Sequence, residues 1–127
     1  MNPFFTFLSA AYIFCIFYLA DSSVVSQIGE FNFYSLLHIP LYGILMILLL
    51  LAFASKPETS RTSRYSIAAW IAIAVGALDE YYQSFIPSRE GSLGDVLLDI
   101  LGVVLVRILA RRVPPLLWMN QLKKLKK

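Results

Sequence analysis

Charge is scarce in this chain. Only 15% of its 127 residues are charged, where a soluble globular domain carries roughly 25%. Apolar residues make up 58%. Cysteine occurs once, as Cys15 inside an apolar run, which excludes a disulfide framework and a cysteine-based metal site. The formal net charge of +3 is too small and too unevenly distributed to indicate a nucleic-acid partner. There is no internal repeat, no low-complexity segment and no room for a separate soluble catalytic domain.

What remains is apolar sequence in four stretches, at about 4–20, 37–54, 66–86 and 93–110. Each is close to the ~20 residues that cross a bilayer as a helix. The first lacks the basic n-region of a signal peptide and puts Tyr18 at the −3 position of a cleavage after Ala20, so it is expected to be a retained span. A soluble four-helix bundle would need a charged stripe along every helix, and the first two stretches have none. The expectation is an all-α, integral membrane four-helix bundle forming one domain over 1–127, located in the cell membrane as a multi-pass protein.

Basic residues set the expected orientation. The connection at 55–65 carries Lys56, Arg61 and Arg64, and the tail after Ala110 carries Arg111, Arg112, Lys123, Lys124, Lys126 and Lys127. The segment 21–36 has no lysine or arginine, and the turn at 87–92 has only Arg89. The positive-inside rule places both termini and the 55–65 connection in the cytoplasm. In the tail 111–127, Pro114 and Pro115 stop the last helix, and Leu116, Leu117, Trp118, Leu122 and Leu125 among lysines suit an interfacial helix on anionic lipid. Phe31, Phe33 and Tyr34 suit the outer interface.

Against this apolar background, the stretch DEYYQSFIPSREGSLGDVLLD at 79–99 holds Asp79, Glu80, Glu90, Asp95 and Asp99, five of the eight acidic residues. Ser92 is the expected N-cap of the fourth helix, with Asp95 in its first turn. Asp99 follows one turn later, and Gly102 permits close helix approach. On the third helix Asp79 and Gln83 are one turn apart, with Glu80 adjacent and Gly76 one turn before. Asp79 lies eight residues before Pro87 and Asp99 seven after Ser92, so at ~1.5 Å per residue both sit about 10–12 Å below the turn. A charge at the centre of a membrane helix costs about 2.5–3.5 kcal/mol even on the lenient scale. Either water enters from outside, or one or more of these acids is protonated. On the second helix His38 and Tyr42, one turn apart, stand at the same membrane level.

These residues resemble the VanZ-like family of small bacterial membrane proteins. That family shows an Asp-Glu pair, a glutamine three residues after the glutamate, an arginine soon after a turn proline, an aspartate, and an Asn or Asp with a glycine three residues later. The matching positions are Asp79, Glu80, Gln83, Arg89, Asp95, Asp99 and Gly102. The family's histidine with a tyrosine four residues on matches His38 and Tyr42. Two positions depart from the pattern: Ser35 stands where a lysine is common, and Asp99 where asparagine is frequent. The resemblance implies a four-helix membrane protein and a link to resistance against teicoplanin-type glycopeptides, without supplying a reaction or a cofactor.

Three functional expectations follow. In the first, an outward polar pocket of His38, Tyr42, Asp79, Glu80, Gln83, Arg89, Asp95 and Asp99 engages a membrane lipid head group or a lipid-linked cell-wall precursor, with Arg89 and His38 on phosphate. In the second, the same groups form an intramembrane enzyme acting on a lipid phosphate. A histidine with several carboxylates suits acid–base work, and two or more aspartates with the histidine could ligate a divalent metal. No recognised nucleophile or metal motif is present, and no metal ligand is assigned. In the third, the polar groups latch a structural subunit of a membrane complex.

Overall fold

The computed structural model describes residues 1–21, 33–54, 60–87 and 91–112, without the side chains of Phe33 and Tyr34. Arg89, Lys56, Glu90, Phe31 and the tail at 113–127 lie outside the described residues, as do the expectations that rest on them. The described part is all helical: α1 (Pro3–Ala20), a single turn α2 (Phe33–Leu36), α3 (His38–Phe53), α4 (Arg61–Gln83) and α5 (Leu93–Arg112). The four long helices form the bundle, and among the described residues there are no strands.

Local chemistry explains where each helix begins. Asn2 caps α1, its Oδ1 accepting from the Phe4 N–H at 3.1 Å, and Pro3 occupies the first helical position, where a missing N–H costs nothing. Ser60 caps α4, its Oγ accepting from the Ser63 N–H at 3.1 Å. That cap starts the helix at Arg61, inside what hydropathy marks as a connection at 55–65. The backbone follows the cap and the orphan N–H groups it satisfies, while the apolar stretch starts only at residue 66. At the other end α4 stops at Gln83, ahead of the turn leading to Pro87. Ser92 Oγ accepts from the N–H groups of Gly94 at 3.1 Å and Asp95 at 3.4 Å, opening α5. α5 runs to Arg112, two residues short of Pro114, a proline that disfavours helix in the residue before it.

α3 is the centre of the bundle and packs against α1, α4 and α5. Its Tyr42, Leu45, Met46 and Ala52 have no exposed surface. α4 meets them with Ala68, Ala69, Ala72 and Val75, and α5 with Val103 and Ala110. Small residues on α4 let the helices approach closely. The outer surface is apolar as well: Phe7, Phe14 and Tyr18 on α1, Trp70, Leu78 and Tyr81 on α4, and Leu97, Leu105 and Leu109 on α5 are all exposed.

α1 is long and apolar enough to cross a membrane, while α3 is equally apolar but has 16 residues. α4 and α5 carry more charge: Arg61 and Arg64 on α4 and Asp95, Arg107, Arg111 and Arg112 on α5, none of them buried, together with Asp79, Glu80, Gln83 and Asp99, whose side chains are buried inside the bundle. Composition averages over a helix's faces, whereas the surroundings meet only the outer one.

The two ends of the bundle differ in charge. At one end the Asn2 N–H donates to the Ala52 carbonyl of α3 at 2.8 Å, joining the start of α1 to the end of α3. Arg64 Nη1 donates to the Ala54 carbonyl at 3.2 Å, and Arg61 Nη2 donates to the carbonyls of Ala110 at 3.0 Å and Arg111 at 3.3 Å. The arginines of the first turns of α4 thus cap the final carbonyls of α3 and α5, where the helix dipoles favour positive charge. Arg111 and Arg112 stand at the same end. Asp79, Glu80, Asp95 and Asp99 gather at the opposite end, where Phe17 of α1 meets Tyr82 of α4 edge to face at 5.9 Å.

Candidate functional site

The acidic end is built from the start of α3, the end of α4 and the start of α5. α3 supplies His38 and Tyr42, one turn apart, their rings parallel within 9° at 6.1 Å. α4 supplies Asp79, Glu80 and Gln83, and α5 supplies Asp95 and Asp99. Two glycines make the approach possible. A Cβ on Gly102 would run into the main chain of Ile39, so α3 and α5 touch backbone to backbone beside His38. A Cβ on Gly76 would stand 2.5 Å from Asp99 Oδ2, so the missing side chain makes the space that the Asp99 carboxylate fills.

The pairings follow from that approach. His38 Nδ1 lies 2.8 Å from Asp99 Oδ1, a short contact to a side chain only 1% exposed. With Asp99 ionised, its carboxylate can only accept, and Nδ1 then carries the proton of this bond. Tyr42 Oη donates to Asp79 Oδ2 at 3.2 Å. Glu80 Oε2 accepts the Ser92 N–H at 2.8 Å, which ties the end of α4 to the cap of α5. The other Glu80 oxygen, Oε1, is buried without a hydrogen-bond partner among the described residues and faces His38 Nε2 at 3.8 Å. Asp95 Oδ2 lies 4.0 Å from the same nitrogen. Gln83 is buried one turn beyond Asp79.

Of the eight residues that the sequence singles out, the structure brings His38, Tyr42, Asp79, Glu80, Asp95 and Asp99 into one cluster and buries Gln83 on the same helix as Asp79 and Glu80. Arg89 falls outside the described residues. Sequence reasoning missed the Ser92 N–H, because a backbone donor has no signature beyond the serine cap. It also treated Arg61 and Arg64 only as topology signals. Their position in the first turns of a capped helix was a signal that they could reach neighbouring helix ends.

Chemically, the cluster combines four carboxylates with one imidazole whose Nδ1 is held by Asp99 and whose Nε2 faces two further carboxylates. Such a site can attract cations, orient a proton acceptor, or present acceptors to a polar head group. One ligand atom each from His38, Glu80 and Asp95 lies within 4.8 Å of the other two. No curated protein and no solved structure matches the chain. The family model that does match covers residues 4–117, nearly the whole bundle, and the chain belongs to the VanZ/LLP1 family.

Proposed function

We propose that this is a multi-pass cell-envelope protein whose acidic end faces outward and engages the head group of a membrane lipid or of a lipid-linked cell-wall precursor, lowering susceptibility to teicoplanin-type glycopeptides. Family membership fits a cell-envelope protein linked to glycopeptide resistance. The observation that carries the reading is the convergence of His38, Tyr42, Asp79, Glu80, Asp95 and Asp99 from three helices at one end of an otherwise apolar bundle. Buried ionisable groups in such a setting are costly to keep, which favours a functional role over a structural one.

Two further features support the orientation. The opposite end collects Arg61, Arg64, Arg111 and Arg112, the pattern of a cytoplasmic face. The many exposed aromatic and aliphatic side chains on α1, α4 and α5 suit lipid.

The test is the minimum inhibitory concentration of teicoplanin in a susceptible Gram-positive host carrying empty vector, wild type or Asp79→Asn, with membrane levels matched by blot. The proposal expects a rise with wild type that Asp79→Asn removes at equal expression. No rise with well-expressed wild type refutes it.

A further inference from the structure

We infer that His38 Nε2, Glu80 Oε1 and Asp95 Oδ2 form a binding site for one divalent cation, of the borderline kind such as Zn2+ or Mn2+ that accepts both imidazole and carboxylate. The inference rests on the geometry of these three side chains and does not depend on the head group proposed above.

The distances are the first argument. Nε2 stands 3.8 Å from Glu80 Oε1 and 4.0 Å from Asp95 Oδ2. Hydrogen bonds from nitrogen to oxygen span about 2.7–3.2 Å, so these groups face one another across a gap without bonding directly. Ligand bonds of about 2.0–2.2 Å put neighbouring ligand atoms roughly 3–4 Å apart. For the two pairs that include Nε2 the gap matches a shared cation after a contraction of under ~1 Å. The three ligand atoms all lie within 4.8 Å of one another. The gap fits a shared proton poorly. A proton on Nε2 would draw one carboxylate to about 2.7–2.9 Å, and neither stands that close.

The second argument is a buried oxygen with nothing to bond. Among the described residues Glu80 Oε1 has no hydrogen-bond partner, and its side chain is 6% exposed. Its sister Oε2 is held by the Ser92 N–H at 2.8 Å, so the carboxylate is pinned with Oε1 turned towards the imidazole. An orphaned carboxylate oxygen at that depth calls for a partner, and a cation between Oε1 and Nε2 supplies one.

The third argument is the far side of the imidazole. Asp99 Oδ1 lies 2.8 Å from Nδ1, and when it accepts the Nδ1 proton the Nε2 lone pair is free on the side of Glu80 and Asp95. A buried carboxylate behind a histidine is the usual support of a metal-ligating imidazole, since it sets the tautomer and raises the ligand's basicity. Here Asp99 is a positioning residue, held in turn by the space above Gly76. The three ligands, a neutral imidazole and two carboxylates, carry two negative charges, which one divalent ion balances, and the Asp99 carboxylate behind the ring adds further attraction for a cation. Among the described residues, His38 is the one basic side chain set against Glu80, Asp95 and Asp99. Asp95, 18% exposed, forms the rim through which an ion enters. Three protein ligands leave coordination positions open to water or to an oxygen ligand.

The test uses the full-length chain purified in detergent, with any affinity tag removed and bound metal stripped by chelator. Zn2+ or Mn2+ is titrated by calorimetry, and retained metal is counted by mass spectrometry after dialysis. Wild type is expected to hold about one equivalent. Glu80→Gln and Asp95→Asn are each expected to weaken binding at least ~10-fold. Asp95→Asn, at the rim, keeps the test open should Glu80→Gln fail to fold. Co2+ bound to wild type should show visible bands that Asp95→Asn alters, a readout that a purely structural role would not move. Absence of stoichiometric binding by wild type overturns the inference, and so does wild-type affinity in either folded variant.

Discussion

Replacing Gly102 by alanine tests the helix contact that assembles the site. An added Cβ would lie 3.1 Å from both the carbonyl carbon and the Cα of Ile39, where carbon atoms ordinarily rest about 3.5–4.0 Å apart. The obstructing atoms are backbone, so no side-chain rotation relieves the clash, and α3 and α5 must separate by roughly half an ångström or more. Overpacking of this kind costs about 1–3 kcal/mol. For a chain of this size about 3–6 °C of melting temperature corresponds to each kcal/mol, so Gly102→Ala should melt at least ~3 °C below wild type. Intrinsic tryptophan fluorescence of the detergent-solubilised protein provides the assay. Gly94→Ala is the control, because its Cβ meets only one side-chain atom, Ser92 Oγ at 3.2 Å, and no backbone of another helix. If the two variants melt alike, the close approach of α3 and α5 is refuted, and with it the alignment that sets His38 against Asp99.

Two further outcomes are expected. Tyr42→Phe removes the donor to Asp79 Oδ2 from a fully buried position, and should cost about 1–3 kcal/mol in the same melt. An unchanged melting temperature would show that this bond contributes nothing. In a Cys15→Ser background, Ser84→Cys near the acidic end should react with an impermeant maleimide on intact cells, whereas Thr62→Cys near the basic end should react only after lysis. The reverse pattern would overturn the outward placement of the acidic end.

The apolar stretches, the Ser92 cap and the one-turn spacings of His38 with Tyr42 and Asp79 with Gln83 were all legible in the chain, because each is a local property of helical periodicity or capping. The start of α4 was not. Hydropathy begins at Ser66, but Ser60 caps a helix whose first turn carries Arg61, and a cap acts on backbone groups that hydropathy does not register. The reach of Arg61 to Ala110, 49 residues away, was equally hidden, since it depends on the two helices running antiparallel side by side.

By itself, then, the sequence determined that the chain forms apolar helices and that carboxylates, a histidine and a tyrosine occupy their ends near one turn. It did so through composition and short-range spacing, which every helix carries within itself. Only the tertiary structure decided that His38 bonds Asp99, that Tyr42 bonds Asp79, and that Glu80 leaves one oxygen facing the imidazole. Those choices depend on the rotation of each helix against its neighbours. That rotation is set by main chain touching main chain at Gly102 and by the carboxylate lodged over Gly76, contacts between residues far apart in the chain whose pairing no local pattern encodes.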